Sequence, residues 1–240
     1  MGLNISQAKF VMFDDTHQKR VDTSLENNPT SETICDVDVY HVFRRNKTGD
    51  KDRDGNPLIY AMKGMNGYGI VPMYRQMFLR RADEIIATIA GKFEADFVMP
   101  IPSSYGFCGE VAERVSNAMG VPLLASNFIL KKTIGEVLAQ YGELVPDDLK
   151  PKARQEYKSQ LAVWRRMDQH RHVSMKEIDN SIRRCFQHLK ISDDPPDIAG
   201  RKIVVVDDLM STGTSLISTF ELLRSAGAVV SGGVCFLSGL

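Results

Sequence analysis

The sequence predicts an α/β fold in which a parallel sheet is flanked by helices. The first observation is that short apolar segments alternate with segments of mostly helical periodicity, as in βαβ units. These apolar segments are 97–101, 121–130, 203–206 and 228–237. The second observation is that the segment 203–206 is apolar at every position, which is typical of a strand covered on both faces.

The N-terminal part of the chain is expected to be less regular. Residues 1–36 are mostly polar and predict a loosely structured entry segment. The alternation in "DVDVYHVF" predicts a half-buried strand. The segment "LIYAMK" resumes an extended pattern after a charged stretch, so we expect a hairpin with a polar tip. Apolar residues at helical spacing then predict a helix over 73–90.

The rest of the chain predicts helices between the core strands. One helix is expected over 110–119, with Gly120 as its C-cap. Residues 133–200 interrupt the alternation and contain two predicted helices, around 152–167 and 175–190. Trp164 is expected to pack inside this interrupting segment. A helix over 215–225 and the last strand restore the alternation.

Composition limits the classes of partner and location. The chain has 240 residues, of which 43% are hydrophobic, and 30 basic residues balance 30 acidic ones. The overall charge therefore gives no attraction to nucleic acid or membrane. An apolar run of roughly 18 residues, the length needed to span a bilayer, is absent. The four cysteines are widely spaced without a CxxC pair, which favours reduced thiols and a cytoplasmic location.

The candidate site follows the apolar strand 203–206. Asp207 and Asp208 stand at the carboxyl end of this strand, where open parallel sheets bind their ligands. A loop of hydroxyls and a glycine leads from them into a helix, and such a loop binds anions through its backbone N–H groups. The loop residues are Ser211, Thr212, Gly213, Thr214 and Ser215. Carboxylates accept hydrogen bonds from sugar hydroxyls, so the pattern predicts a phosphate joined to a polyol, such as ribose 5-phosphate.

Three other patterns do not fit. The chain contains neither GxxxxGK[ST] nor a GxGxxG that follows a strand. Receiver domains carry an acidic pair after their first strand, whereas only 32 residues follow Asp208 here.

The string "VVVDDLMSTGTS" resembles the signature of type I phosphoribosyltransferases. The resemblance covers about residues 94–132 and 200–240. It implies that Asp207 and Asp208 are the catalytic pair that holds the ribose hydroxyls of 5-phosphoribosyl 1-diphosphate (PRPP). It also implies that the loop 211–215 binds the 5′-phosphate.

The resemblance further implies a diphosphate-binding loop after the first core strand. The corresponding residues in "MPIPSSYGF" are Pro102, Ser103, Ser104 and Tyr105. The arrangement is closest to the ComF-like branch, with its "P-x-P…G-F" spacing and a segment like "AMKGMNGYG" upstream. The ComF-like loop is longer and basic, whereas this loop lacks Arg and Lys. Neutralisation of the diphosphate is therefore expected from Mg²⁺, held through PRPP near the acid pair, and from Lys131 or Lys132.

The resemblance also implies a division into domains. Residues 1–92 are expected to form an N-terminal extension and a hood lobe. Residues 93–240 are expected to form the phosphoribosyltransferase-like core, with the helical, basic insertion 133–200 before the PRPP-motif strand. By analogy with the family, a homodimer is expected.

Two functions follow as expectations. The first is Mg²⁺-dependent transfer of a phosphoribosyl group from PRPP to a nitrogen acceptor, with release of diphosphate. The second is non-catalytic sensing of PRPP or a nucleotide by a protein that binds nucleic acid or a partner. The segment 151–190 motivates the second, because it holds ten Lys or Arg against four Asp or Glu. Solvated helix faces, or a lid that supplies cations, explain the same charges.

Overall fold

The computed structural model describes residues 2–46, 56–103, 105–124, 126–143 and 145–238. The strands are β1 Gly2–Ile5, β2 Phe10–Asp14, β3 Val21–Asp22, β4 Thr30–Ile34, β5 Val37–Arg45, β6 Gly69–Ile70, β7 Phe97–Pro100, β8 Ile129–Lys131, β9 Leu189–Ile191, β10 Lys202–Leu209 and β11 Val229–Leu237. The helices are α1 Pro57–Lys63, α2 Pro72–Ala90, α3 Phe107–Met119, α4 Ile134–Tyr141, α5 Pro151–Trp164 and α6 Thr214–Ser225. Across those ranges, no helix combines the length and apolarity that crossing a membrane requires.

The chain divides into two compact units. The first unit contains residues 1–125 and 198–240, and the second contains residues 126–197.

The first unit is built on a mixed sheet with a parallel centre. Strands β5, β11, β10 and β7 lie side by side in this order and are parallel. The short strands β3 and β4 pair antiparallel with β5. On the far side of β7, Leu123 forms a single parallel bridge with Val98. The predicted α/β fold with flanking helices is therefore confirmed, although the edge of the sheet is antiparallel. The prediction of one strand over 121–130 is wrong, because β8 belongs to the second unit.

The strand order creates a switch point between β7 and β10. From β7 the chain passes through α3 to Leu123 on one side, whereas from β10 it passes through α6 to β11 on the other. The chain therefore leaves the ends of β7 and β10 at the same sheet edge in opposite directions. These ends lie side by side, because the backbone N–H of Ile101 donates to the carbonyl of Val206 at 2.8 Å. Open α/β sheets bind ligands in a crevice of this kind.

One face of the sheet is covered by α2 and α3. Phe78 of α2 and Val111 and Val115 of α3 belong to the same buried cluster as Val204 and Val206 of β10. The predicted helix over 73–90 is confirmed as α2, and the one over 110–119 as most of α3. This packing fixes the first residues of α3 next to the carboxyl end of β10.

The N-terminal part of the unit is more regular than its polar sequence predicts. Residues 1–36 contain β1 to β4, so the expectation of a loose segment is wrong. The predicted hairpin is wrong too, because "LIYAMK" forms α1. The Asn56 side chain accepts from the backbone N–H of Leu58 at 2.9 Å, and Pro57 occupies the first helical position. The tip of the expected hairpin, at 47–55, lies outside the described residues.

The second unit is held together by an aromatic cluster around Phe186. Its ring stacks on Tyr157 at 4.7 Å between centroids and meets the edge of Trp164 at 4.9 Å. All three side chains are buried, which confirms the expected packing of Trp164. The helix predicted over 152–167 is confirmed as α5.

The helix predicted over 175–190 is wrong. That segment forms short 3-10 turns at Met175–Glu177 and Arg183–Cys185 and then β9. Asp179 accepts from the backbone N–H and the hydroxyl of Ser181, a local turn that competes with helix formation. Ile178 and Ile182 are nevertheless buried in the same cluster as Phe186. The helical spacing of these residues therefore indicated burial rather than a helix.

Replacing Phe186 by Ala is expected to destabilise the second unit by about 3–5 kcal/mol, because it leaves a cavity between the rings of Tyr157 and Trp164. Trp164 is the single tryptophan of the chain, so the urea dependence of its emission reports this unit directly. Val163, which is 52% exposed, provides the control, because Val163→Ala should change stability by no more than about 0.5 kcal/mol. Equal midpoints for Phe186→Ala and the unaltered protein would contradict the proposed core.

Candidate active site

The acid pair lies within β10, close to its carboxyl end, rather than after the strand. Asp207 stands opposite Cys235 of β11, and the ladder continues to Leu209. Successive side chains of a strand point to opposite faces, so the two carboxylates leave the backbone on different sides. The backbone N–H of Asp208 donates to Oδ1 of Asp207 at 2.8 Å, which turns the Asp207 carboxylate along the strand end. Asp208 is 5% exposed, and Asp207 is half-buried.

A lysine that the sequence reading did not single out pairs with this acid pair. The Nζ atom of Lys63, the last residue of α1, lies 2.5 Å from Oδ2 of Asp208. The same ammonium lies 5.7 Å from the centroid of the Tyr105 ring. The signal that could have found it is "NPLIYAMKG", in which a capping Asn, a Pro and a C-terminal Gly mark a helix that ends at Lys63.

A thiol adjoins the two carboxylates. Sγ of Cys108 and carboxylate oxygens of Asp207 and Asp208 all lie within 4.8 Å of one another. The thiol donates to the carbonyl of Val206 at 3.3 Å. Burial, together with the charges of Asp207 and Asp208, raises the pKa of Cys108 well above its usual value. Cys108 is therefore a neutral thiol at pH 7 and acts here as a packing group rather than as a nucleophile.

The electrostatics of the acid pair favour a proton on Asp207. Burial of its carboxyl, and then the charge of Asp208, raise the pKa of Asp207 to about 7. Lys63 acts in the opposite direction but does not cancel these effects. Two adjacent carboxyl groups, of which Asp208 is paired with the Lys63 ammonium, are arranged to receive hydrogen-bond donors, and the hydroxyls of a sugar are such donors.

This pKa predicts a pH-dependent cost in stability. An Asp whose pKa is raised to about 7 in the folded state keeps its proton at pH values at which the unfolded state has lost it. The contribution of this Asp to stability therefore falls as pH rises from about 4 to 7. Asp207→Asn removes this dependence. We therefore expect Asp207→Asn to be more stable than the unaltered protein at pH 8, and the difference to shrink at pH 5. Melting temperatures at both pH values test this, and a constant difference would contradict the raised pKa.

The hydroxyl loop that follows has the geometry of an anion site. Gly213 adopts the left-handed conformation, with φ at 70°, and directly precedes the first residue of α6. Since a glycine has no side chain to cap the helix, the first N–H groups of α6 remain directed at the loop. The hydroxyls of Thr212 and Thr214 are 2.9 Å apart, and Ser211 and Thr212 are exposed. A phosphate at this position would meet backbone N–H groups, hydroxyls and the positive end of the helix dipole.

The loop after β7 brings its polar groups to the same sheet edge. Ser103 is exposed, and its hydroxyl accepts from the backbone N–H of Tyr105 at 3.3 Å. Pro102 is half-buried beneath them. Tyr105 is 40% exposed, with its ring near the Lys63 ammonium. Ser104 lies outside the described residues.

Lys131 and Lys132, the expected cations for a diphosphate, belong to the second unit. The Nζ atom of Lys132 donates to Gln140 at 2.7 Å. Burial, followed by the charge of Lys190, lowers the pKa of Lys132 despite the opposing effect of Glu136. Contact of Lys131 and Lys132 with a diphosphate remains a prediction.

The comparison with protein families identifies the segment that carries this geometry. The family model described as a phosphoribosyl transferase domain matches residues 159–238, which is about a third of the chain. Residues 159–238 of this chain are therefore similar to a phosphoribosyl transferase domain. The matched residues include β10, the hydroxyl loop, α6 and β11, so the acid pair and the anion site both fall inside the phosphoribosyl transferase match.

The curated relatives are phosphoribosyltransferases that match over short segments. Orotate phosphoribosyltransferase of Pyrobaculum islandicum is 46% identical over 41 residues, which are 17% of this chain and 21% of that protein. Adenine phosphoribosyltransferase of Mycolicibacterium gilvum is 41% identical over 49 residues, which are 20% of this chain and 27% of that protein. The chain thus spans about a fifth to a quarter of the length of these relatives.

Two solved structures are distantly similar. Adenine phosphoribosyltransferase from Thermoanaerobacter pseudethanolicus aligns with a TM-score of 0.34 and 15% identity, over 67% of this chain and 80% of that one. The enzyme from Leishmania tarentolae aligns with a TM-score of 0.38 and 8% identity, over 99% of this chain and 94% of that one. Superpositions this loose carry no argument, and the description of the α/β fold rests on the sheet itself.

Proposed function

We propose that this protein is a phosphoribosyltransferase that transfers a phosphoribosyl group from PRPP to a nitrogen acceptor with release of diphosphate. The observation that carries the proposal is the position of the acid pair. Asp207 and Asp208 lie at a sheet switch point and are followed directly by an anion-binding loop with Gly213 at φ 70°. A ligand that joins a sugar to a phosphate matches both halves of this arrangement.

In the proposed reaction the protein positions PRPP and stabilises charge. The acceptor nitrogen forms a bond to C1 of the ribose and loses its proton to solvent, while the C1–O bond breaks and the electron pair of that C1–O bond leaves with the diphosphate. Asp207 and Asp208 accept from the ribose hydroxyls and favour the positive charge that develops on the ring. The loop 211–215 holds the 5′-phosphate, and the loop with Pro102, Ser103, Ser104 and Tyr105 faces the diphosphate. Most of the rate enhancement would come from this fixed geometry.

Mg²⁺ fits the donor set of the site as an ion held mainly by PRPP. The carboxylate oxygens of Asp207 and Asp208 are ligands that Mg²⁺ accepts, directly or through water, whereas the adjoining thiol of Cys108 is not. When bound, the ion would neutralise the diphosphate as it leaves.

The acceptor class follows from the relatives. The similar enzymes of Pyrobaculum islandicum and Mycolicibacterium gilvum are named for orotate and adenine, which are nitrogen heterocycles. A nucleobase or a related nitrogen compound is therefore the proposed acceptor. The placement in the ComF-like branch, the cytoplasmic location and the homodimer are part of the same proposal. They are supported by the "P-x-P…G-F" spacing, by the unpaired cysteines Cys35, Cys108, Cys185 and Cys235, and by analogy with the family, respectively.

The test is release of diphosphate from PRPP and Mg²⁺ in the presence of single acceptors, with adenine and orotate first. We expect release that depends on both PRPP and one acceptor, together with the matching nucleoside 5′-monophosphate. Failure with all nucleobases, despite measured PRPP binding, would reject transfer to a nucleobase.

Sensing of PRPP without turnover is the alternative, and one observation favours it. Exposed cations lie along α5 and just after it, at Lys152, Lys158, Arg165 and Arg166. These side chains give the segment 151–190 a positively charged surface of the kind that binds a polyanion such as nucleic acid. Salt-dependent binding of an RNA or DNA oligonucleotide that changes with PRPP, without release of diphosphate, would support the alternative over the enzyme.

A further inference from the structure

A thiol and two carboxylates converge at the carboxyl end of β10. Sγ of Cys108 and carboxylate oxygens of Asp207 and Asp208 lie within 4.8 Å of one another. In a tetrahedral site with metal–ligand bonds of about 2.0–2.3 Å, neighbouring ligand atoms are about 3.3–3.8 Å apart. Small rotations of these side chains therefore bring the three atoms to the spacing of a metal site.

The donor atoms of this cluster select the kind of metal. A thiolate is a soft ligand that prefers Zn²⁺ or Cd²⁺, whereas Mg²⁺ prefers oxygen. One thiolate and two carboxylates form a set of three protein ligands with a fourth position for water, which suits Zn²⁺. The thiol of Cys108 thus gives the acid pair a chemistry that binding of PRPP with Mg²⁺ does not use.

The protein holds these donors in place on two packed elements. Cys108 lies in the first turn of α3, and its thiol donates to the carbonyl of Val206 at 3.3 Å. Val111 of α3 is buried in the same cluster as Val206 of β10. The backbone N–H of Asp208 donates to Oδ1 of Asp207 at 2.8 Å. A metal ion therefore meets donors whose backbone positions are already fixed.

A competing cation limits the affinity of the cluster for metal. The Nζ atom of Lys63 lies 2.5 Å from Oδ2 of Asp208, and the two side chains are only 10% and 7% exposed. A metal ion has to share the Asp208 carboxylate with this ammonium or displace it. Binding also requires the buried thiol to lose its proton. Both costs favour reversible binding over a permanent structural metal.

We infer that Cys108, Asp207 and Asp208 form an inhibitory site for a thiophilic divalent cation such as Zn²⁺ or Cd²⁺. Binding forms one metal–sulfur bond and bonds to carboxylate oxygens, and the thiol proton passes to solvent. The bound ion occupies the carboxylates that are proposed to accept from the ribose hydroxyls, so it competes with PRPP. This competition rests on the proposed function, whereas binding of the ion does not.

Titration of the metal-free protein with Cd²⁺ tests the site without PRPP, because a cadmium–thiolate bond absorbs in the ultraviolet. We expect the first equivalent of Cd²⁺ to produce this absorption. Cys108→Ser should abolish it and weaken binding of Cd²⁺ by at least about 100-fold, since a hydroxyl is a poor ligand for a soft ion. Cys35→Ser is the matched control, because Cys35 is an exposed thiol. It should keep both the absorption and the affinity.

Asp207→Asn keeps this test decisive if Cys108→Ser does not fold. The thiol remains in this variant, so the absorption should persist while the affinity for Cd²⁺ falls by at least about tenfold. Absorption that survives in Cys108→Ser, or an affinity that Asp207→Asn leaves unchanged, would show an adventitious ion only and would overturn the site.

Calorimetric titration of PRPP at fixed excess Mg²⁺, with and without Zn²⁺, tests the competition. We expect saturating Zn²⁺ to lower the affinity for PRPP by at least about tenfold in the unaltered protein and in Cys35→Ser. In Cys108→Ser, Zn²⁺ should have little effect, and this variant also accounts for the Zn²⁺ that PRPP itself binds.

The outcomes separate this inference from the proposed function. If the unaltered protein binds no PRPP even without Zn²⁺, the proposed function fails, and the titrations with Cd²⁺ still decide the metal site. If the unaltered protein binds PRPP with the same affinity in the presence and absence of Zn²⁺, only the inhibition by metal is overturned.

Discussion

Replacement of Asp207 and Asp208 together by Asn is expected to lower the affinity for PRPP at pH 8, above the pKa of Asp207, by at least about 100-fold, because two charge-assisted hydrogen bonds from the ribose hydroxyls are lost. Turnover should fall at least as far, since the same carboxylates favour the positive charge of the transition state. The fold should be retained. Asn has nearly the shape of Asp, and the change removes the repulsion that raises the pKa of Asp207. Calorimetric titration and release of diphosphate are the measurements.

The matched control for this pair is Asp96→Asn at the other end of β10. Asp96 accepts from the backbone N–H of Lys202 at 2.7 Å, where β10 begins. Its replacement removes a carboxylate that contacts the start of β10, at the opposite end of this strand from the site, so the affinity for PRPP should stay unchanged. If the double variant binds PRPP as the unaltered protein does, the assignment of the acid pair to the ribose is wrong.

Gly213→Val is expected to lower the affinity for both PRPP and ribose 5-phosphate by more than about tenfold, because it distorts the loop that holds the shared 5′-phosphate. Gly213 has φ at 70°, and a β-branched residue is a clear outlier in this region. A Cβ at this position would also come within 3.3 Å of Ile34 Cδ1. The first N–H groups of α6 would therefore move away from the phosphate.

Gly120→Val separates loss of binding from loss of stability. Gly120 has nearly the same backbone conformation, with φ at 66°, but it ends α3 away from the hydroxyl loop, and a Cβ there meets open space. Both variants should lose stability of about 1–2 kcal/mol from the left-handed backbone, and only Gly213→Val should lose affinity. Equal affinities in the two variants would remove the loop 211–215 from the binding site.

The centre of the site could be predicted because its signals are contiguous in sequence. The apolar segment 203–206, the acid pair and the hydroxyl loop follow one another within one βα unit, so local periodicity and local chemistry agree. The end of β10 could not be predicted from this segment. Pairing of Asp207 with Cys235 and of Leu209 with Leu237 extends the strand past the acid pair, and that pairing depends on β11.

The N-terminal strands could not be predicted because they form by pairing with strands that are distant in sequence, or because they lie at the edge of a sheet. The strand β4 is mostly exposed and polar, and it forms by pairing with β5, which itself joins β11 in the parallel centre. Local alternation in β5 indicated a strand but not its neighbours. The extended pattern of "LIYAMK" favours a strand, whereas the helix-start signal of Asn56 and Pro57 agrees with the helix that forms.

The position of Lys63 could not be predicted for the same reason. A strand over this segment gives no reason to place Lys63 near Asp208, whereas a helix that ends at Gly64 directs the lysine towards the carboxyl end of β10. The position of Cys108 could not be predicted for a similar reason. Its proximity to the acid pair follows from the parallel pairing of β7 with β10 and from the packing of α3 on both, which are tertiary contacts.

A crystal structure of the protein with PRPP, or with ribose 5-phosphate, tests the central claim most directly. The account predicts the ribose hydroxyls within hydrogen-bonding distance of the carboxylates of Asp207 and Asp208, and the 5′-phosphate on the backbone N–H groups of residues 211–215. Density for the compound at any other place, or none at saturating concentration, would contradict it.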